Sequence, residues 1–304
     1  MVTQVYATPI AFRRALTDRL RSVARPAGRW SLADLQRQFA YDRLLARLYH
    51  ADRNWIVKGA TALLARDIAV RHTVDLDLYR GPVTCARAEA ELRAAAETDI
   101  DDWFRFESGT AVPLVGGVAG VRIRMTARLG TAEWAGFHVD LVAEGVRMTG
   151  TPDEVPPLAL IDLPHVQRTG YLAYPLVDHI ADKACAIVER HGTDARPSSR
   201  FKDLVDLVAL TATVAVPADA QRRALQSEAA RRRLVLPRPF DVPDRGMWLP
   251  GYAAEARRTV VPVAPTLDEA LAVVRRMLDP VLDPVLDGGE TGRWNPGRQC
   301  WGGD

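Results

Sequence analysis

Lysine, cysteine and long apolar runs are all scarce in this chain. Of its 40 basic residues only Lys58, Lys183 and Lys202 are lysine. A chain that otherwise uses arginine is expected to keep lysine where a compact ammonium does what a planar guanidinium does not, such as meeting a phosphate as a point charge. All three lysines are therefore candidates. The three cysteines, Cys85, Cys185 and Cys300, are far apart and odd in number. That argues against a disulfide framework and leaves no C-x-x-C pair for zinc. Six histidines, His50, His72, His138, His165, His179 and His191, show no metal-ligand spacing. No run approaches the roughly 18 apolar residues that span a bilayer. Arg13, Arg14 and Asp18 fall where a signal peptide needs its apolar core. The expectation is a cytoplasmic protein with no membrane association.

What is present is the balance of a globular protein: 304 residues, 48% apolar and 26% charged, enough for one large domain or two ordinary ones. The net charge of +2 conceals an asymmetry, since residues 1–58 hold ten Arg and one Lys against four Asp and no Glu. Positive potential is concentrated at that end. Residues 8–24 read as a helix with Thr8 as cap and Ile10, Ala15, Leu16, Leu20 and Val23 on one stripe. Ser31 with Asp34 opens a second helix to Tyr49, burying Leu32, Leu35, Phe39, Leu44 and Leu48 and leaving most arginines on the other faces.

From Trp55 the texture changes to short apolar runs bounded by turn residues, which predicts strands near 55–57, 73–79, 103–107, 120–129 and 136–143. A short helix follows Gly59 and a longer one covers 83–97. The four prolines of 149–164 mark a connection to helices over 175–191, 199–213, 217–234 and 266–279, with the tail from Asp287 expected to be mobile. The expected fold class is α+β, a mixed sheet with helices over 1–150 and a mainly helical domain over 151–304.

Two constellations could carry chemistry. In the first, the strand Trp55–Val57 runs through Lys58, Gly59, Ala60 and Thr61 straight into a helix, aiming free N–H groups at whatever sits in front of it, which suits a phosphate; Thr61 adds a hydroxyl. Asp75 and Asp77, two apart on the next strand, share one face, while Val74, Leu76 and Leu78 take the other. Two such carboxylates suit Mg²⁺ together with substrate phosphates, and Asp140, between Val139 and Leu141, could be a third acid. Alone, the D-x-D pattern equally fits the solvated face of an edge strand. In the second, Lys183 and Arg190 lie seven apart on one predicted helix, and Asp203 and Asp206 lie one turn apart on the next. Surface ion pairs are the plainer reading of these charges.

The order of the first set, strand–Gly–helix, D-x-D strand, later lone acid, resembles the nucleotidyltransferase superfamily that includes DNA polymerase beta and CCA-adding enzymes. Ala60 stands where Ser or Gly is usual. With KGATAL, DLDL, the Lys-x6-Arg helix and the R-x-K-D-x-x-D-L helix in sequence, the chain resembles the AbiEii/AbiGii-type nucleotidyltransferase toxins of toxin–antitoxin systems, and within them the MenT toxins. The resemblance covers roughly residues 35–215, and the C-terminal 90 residues resemble nothing nameable.

It implies a polymerase-beta-like core, a helical C-terminal domain, NTP as substrate, Mg²⁺ as cofactor and, as in MenT toxins, nucleotide transfer to the 3′ end of tRNA, with a cognate antitoxin as partner. Carried over by motif, the acidic pair falls on Asp75 and Asp77, the later lysine on Lys183, and the final acid on Asp203, with Asp206 as the alternative. Lys58, Gly59, Ala60, Thr61 and Arg190 are then the expected nucleotide-binding residues. Transfer to a small molecule such as an aminoglycoside or to a protein side chain, and a noncatalytic binding module, are the competing readings. The basic first segment favours RNA.

Overall fold

A computed structural model of the chain describes residues 6–114, 119–164, 166–283 and 292–302. His165, of the six histidines, lies outside the described residues. The chain divides into two compact units. One takes in the chain up to Asp67, His72–Val146 and Asp153–Ala173; the other comprises Ile68–Arg71, Arg147–Pro152 and the chain from Tyr174. The expected division at 150/151 differs from this in that 153–173 joins the first unit while 68–71 and 147–150 join the second. A short strand in the proline-rich run, 153–155, and another beyond it, 171–173, pair onto the sheet, which the sequence pattern did not reveal.

In the first unit, α1 (Pro9–Val23) starts at Thr8, whose hydroxyl accepts a hydrogen bond from the Ala11 N–H. Its buried side chains are Phe12, Leu16 and Leu20, one stripe at i, i+4, whereas Ile10 is 80% exposed. The expected stripe was therefore rotated, because Phe12 and not Ile10 meets the core. Ser31 caps α2 (Leu32–Ala51). After it come β1 (Trp55–Val57), α3 (Gly59–Ala65), β2 (Asp75–Arg80), α4 (Cys85–Ala96), β3 (Phe104–Pro113), β4 (Gly120–Leu129), β5 (Ala132–Val142), β6 (Asp153–Val155) and β7 (Tyr171–Ala173).

Seven strands form one mixed sheet in the order β3-β4-β5-β2-β1-β7-β6, with β2 parallel to β5 and β1 parallel to β7. Strand alternation gives the sheet two unlike faces. Leu76, Leu78, Ile123, Met125, Val139 and Leu141 are buried on the side where α2 and α4 pack. Asp75, Asp77, Arg122, Arg124, His138 and Asp140 alternate with them and project from the other side. On α2, Arg43 and Arg47 are fully buried, contrary to the expectation that its arginines face away from the core. Both are matched by buried carboxylates, Arg43 by Asp42 and Arg47 by Asp102.

The second unit is mainly helical: α5 (Leu176–Val188), a small hairpin of β8 (Arg190–His191) and β9 (Arg196–Pro197), α6 (Phe201–Thr213), α7 (Ala218–Arg232), α8 (Arg245–Ala256) and α9 (Leu267–Leu282), then β10 (Arg293–Asn295) paired with β11 (Cys300–Gly302). Helix α5 packs on α6 and α7, and α6 on α8 and α9. A capping box of Thr266 and Glu269 opens α9. Helix α8 was not expected, since its stretch holds Gly246, Pro250 and Gly251, residues unfavourable inside a helix. It forms because Trp248 and Tyr252 bury completely and Gly251 admits the Phe201 ring, into which a Cβ would project at 2.4 Å. The tail expected to be mobile is ordered over 292–302. Trp294 Nε1 donates to the Thr211 carbonyl (2.7 Å), Trp301 Nε1 donates to the Met277 carbonyl (3.0 Å), and the two rings meet edge to face at 5.4 Å. Residues 287–291 of that tail lie outside the described residues.

Candidate active site

The first cluster is built on the turn between β1 and α3. Gly59 has φ +57, and a Cβ there would lie 1.9 Å from Asp77 Oδ2. A glycine is required twice over, for the backbone conformation and for the close approach of the carboxylate. The Lys58 N–H donates to the Asp77 carbonyl at 2.8 Å, stitching the turn to β2. Thr61 is fully buried and its hydroxyl donates to the Asp75 carbonyl at 3.1 Å. The expected help from the Thr61 hydroxyl to a phosphate is thus replaced by a structural role, because β2 passes within hydrogen-bonding reach. Ala60 is buried beside it.

Asp75 and Asp77 stand half-buried on the open side of β2, and register places two rungs across that face. Asp77 pairs with Asp140, which pairs with Arg122; Asp75 pairs with His138, which pairs with Arg124. Arg122 grips Asp140 with two charge-assisted hydrogen bonds, Nε to Oδ1 at 2.7 Å and Nη2 to Oδ2 at 2.6 Å, and its Nη2 is 3.9 Å from Asp75 Oδ2. The hydrogen bond to Asp140 raises the Arg122 pKa above its ordinary value, against the effect of partial burial. His138 Nδ1 lies 3.5 Å from Asp75 Oδ1. Among the described residues no group of three or more His, Cys, Asp and Glu is arranged to hold a metal ion. The structure brings Asp75, Asp77 and Asp140 to one face and turns Asp140 to Arg122.

The second cluster lies wholly in the helical unit. Lys183 Nζ on α5 donates to Asp203 Oδ1 at 2.8 Å and to Asp206 Oδ2 at 2.7 Å, both on α6. Arg71 completes a quartet, with Nε 2.9 Å from Asp206 Oδ1 and Nη2 2.6 Å from Asp206 Oδ2. These charges are not the surface pairs that their spacing alone would suggest. The Lys183 and Asp206 side chains are 5% and 1% exposed, against 12% for Asp203 and 17% for Arg71. Burial works against both charged forms. The two carboxylates nevertheless hold the Lys183 ammonium above its ordinary pKa, and Lys183 and Arg71 hold Asp206 below its own. Arg190 does not share this site. Helix α5 ends at Val188, and the Arg190 guanidinium donates instead to the carbonyls of Ala195 and Pro243. The expected Lys-x6-Arg helix face is absent because the chain turns into β8 two residues after the helix ends.

The family described as "Nucleotidyl transferase AbiEii toxin, Type IV TA system" matches residues 43–281. The chain belongs to this family. Among solved structures, MenT4, a nucleotidyltransferase toxin from Mycobacterium tuberculosis H37Rv, superposes with a TM-score of 0.55 at 17% identity over 88% of this chain and 89% of that one. A putative nucleotidyltransferase from H. pylori gives 0.45 at 13% identity, covering 81% and 96%, and JHP933 from Helicobacter pylori gives 0.36 at 14%, covering 83% of each. No curated protein matches the chain. The family match extends through α7, α8 and α9, beyond the point where the motifs ceased to be recognisable. Sequence reasoning missed Arg122, Arg124 and Arg71 and set His138 aside. The alternation of Arg122 and Arg124 with buried Ile123 and Met125 carried the signal for the first two. Nothing local marks Arg71, whose carboxylate partner lies 135 residues away.

Proposed function

We propose that this chain transfers a nucleotidyl group from an NTP to RNA, with the 3′ acceptor end of tRNA as acceptor. It would thereby inhibit translation and growth in the cytoplasm until its antitoxin intervenes. One observation carries the reading: Asp75 and Asp77 stand side by side on the open face of β2, with Asp77 seated against the Gly59 turn. Two half-buried carboxylates are the protein share of an Mg²⁺ site whose shell is completed by phosphates and water, so this donor set fits that ion. Asp140 shares their face as a third acid. When bound, the ion supplies charge neutralisation of the triphosphate and a lower pKa for the attacking hydroxyl.

The chain's own groups do the remainder. Lys58 and the backbone at Gly59 and Ala60 border the phosphates, while Thr61 holds β2 in place from beneath. Lys183 is the cation proposed for the transfer reaction from the helical unit, oriented by Asp206, which Arg71 in turn anchors. Asp203, the less buried of the two acids, is the one with an edge open to a ligand. Net +7 over residues 1–58 supports a polyanionic acceptor.

The deciding experiment incubates the purified protein with total RNA, Mg²⁺ and each labelled NTP in turn. Label in a tRNA-sized band supports the reading, and label in a small-molecule or protein fraction moves the acceptor. No label from any NTP refutes transfer.

A further inference from the structure

The Arg124 side chain is exposed, projects from the same face as Asp75, and among the described residues makes no hydrogen bond or ion pair. Its neighbours on β4 are engaged, Arg122 by Asp140 and Arg128 by Glu107. On β5 the residue in register with Arg124 is His138, and a glycine lies close to the Arg124 side chain on each flanking strand. Gly136 of β5 is flanking, with an added Cβ 3.8 Å from Arg124 Nη2, and Gly109 of β3 falls in a bulge between Ser108 and Ala111, with an added Cβ 3.5 Å from Arg124 Cβ. The bulge is pinned from α4, where Arg93 donates to the Ser108 hydroxyl (2.7 Å) and the Gly109 carbonyl (2.9 Å). Glycine inside a strand weakens it and marks places where another chain comes close, and bulges concentrate beside active sites. Farther along the face Arg105, opposite Arg128, is a second exposed arginine with no partner among the described residues.

We propose that this glycine-flanked lane on β3, β4 and β5, centred on Arg124 and continued by Arg105, binds the phosphate backbone of the RNA acceptor as its 3′ end reaches Asp75 and Asp77. This rests on RNA being the acceptor. The lane begins two strands from the acidic pair, roughly 10 Å away at the spacing of neighbouring strands, so an RNA end at the carboxylates lays its preceding phosphates over β4. An unengaged guanidinium offers two parallel donors to a phosphate, and the glycines at 109 and 136 leave room for a nucleic-acid strand to approach it beside His138. Contacts of this kind position the RNA without reading its bases.

The test measures transfer with RNA varied at saturating NTP and with NTP varied at saturating RNA, together with direct RNA binding across a salt series. Three variants are compared with wild type: Arg124→Ala, Arg124→Lys and Gly136→Leu. Gly136→Leu fills the lane without changing its charge. For Arg124→Ala the RNA KM is expected to rise about tenfold, and the slope of log affinity against log salt to flatten by about one. The NTP KM should not move. Arg124→Lys should recover most of the loss, and Gly136→Leu should raise the RNA KM without altering the salt slope. A rise in NTP KM with RNA KM unchanged would reassign Arg124 to the nucleotide, and wild-type values for both in Arg124→Ala and Gly136→Leu would overturn the lane. Failure of the wild type to label any RNA while it still binds RNA through Arg124 would overturn the acceptor assignment and leave the lane standing.

Discussion

Each unit of this protein contains a buried ionic network, and the two are built differently. In the sheet unit, Arg47 makes two hydrogen bonds to Asp102 (2.9 and 2.6 Å) and one to the Phe104 carbonyl, while Arg43 is held by Asp42 and the Gln167 carbonyl. Every charged side chain in that network is at most 2% exposed. Backbone carbonyls and the Tyr171 hydroxyl add further hydrogen bonds, and its charged side chains are buried away from solvent. In the helical unit the quartet of Arg71, Lys183, Asp203 and Asp206 is equally well paired at its centre but keeps an exposed margin at Asp203 and Arg71. It also contains one of only three lysines. Burial with pairing therefore does not identify a site by itself. The proposed role of Lys183 rests in addition on the less buried margin of its quartet and on the scarcity of lysine.

The comparison breaks most visibly at neither network. Asp77→Ala, and almost as strongly Asp75→Ala, should reduce transfer to background with an unchanged melting temperature, because a half-exposed carboxylate contributes little to packing; an active Asp77→Ala protein would remove the metal assignment. Next in size is Arg47→Met, which leaves Asp102 buried without its main partner and should cost about 3–5 kcal/mol in urea unfolding. Its activity per folded molecule should stay at the wild-type level.

The sharpest contrast pairs two small changes. Lys183→Arg should lower single-turnover incorporation roughly a hundredfold through misplacement of the bound phosphates, with Lys202→Arg as the exposed control. Arg43→Lys loses the fork that reaches Asp42 and Gln167 and should cost about 1–3 kcal/mol of stability with no loss of rate. If the two variants lose rate equally, the distinction between the two networks fails.

The smallest effects are in pH. Burial pushes the His72 imidazole down to about 4 from its ordinary 6.5, against the pull of Asp34. Its folded pKa is depressed, so stability is present above 6.5 and is lost as pH falls toward 4; His72→Phe should flatten that decline in unfolding titrations. The quartet behaves differently. Asp206, held low, contributes stability that is lost only as pH falls below its ordinary 3.8, and Lys183, held high, contributes stability that is lost only as pH rises above 10.5. Lys183→Met removes the first of the two cations that hold the buried Asp206 carboxylate low, so in unfolding titrations its loss of stability on acidification should begin at a higher pH than in wild type.

Much of the candidate site was legible in the sequence because its signals are local. The D-x-D alternation, the glycine between a strand and a helix, and the caps at Thr8, Ser31 and Thr266 all depend on residues within one pleat or one turn, where propensity and side-chain period act directly. The scarcity of lysine singled out Lys183, which the structure shows in a buried quartet, alongside Lys202, which it leaves exposed on α6.

What only the tertiary structure decided are pairings between distant segments. Arg43 and Arg47 read as surface charge until buried carboxylates appear beside them. Asp140 reads as an unpaired acid until the register of β4 and β5 delivers Arg122 to it. Arg190 reads as part of a helix face until the chain turns into β8, and the 149–164 run reads as a connection until its strand 153–155 pairs at the edge of the sheet. Each is settled by desolvation and by hydrogen bonds that exist only once remote parts of the chain meet, and a local pattern carries no information about which partner will arrive.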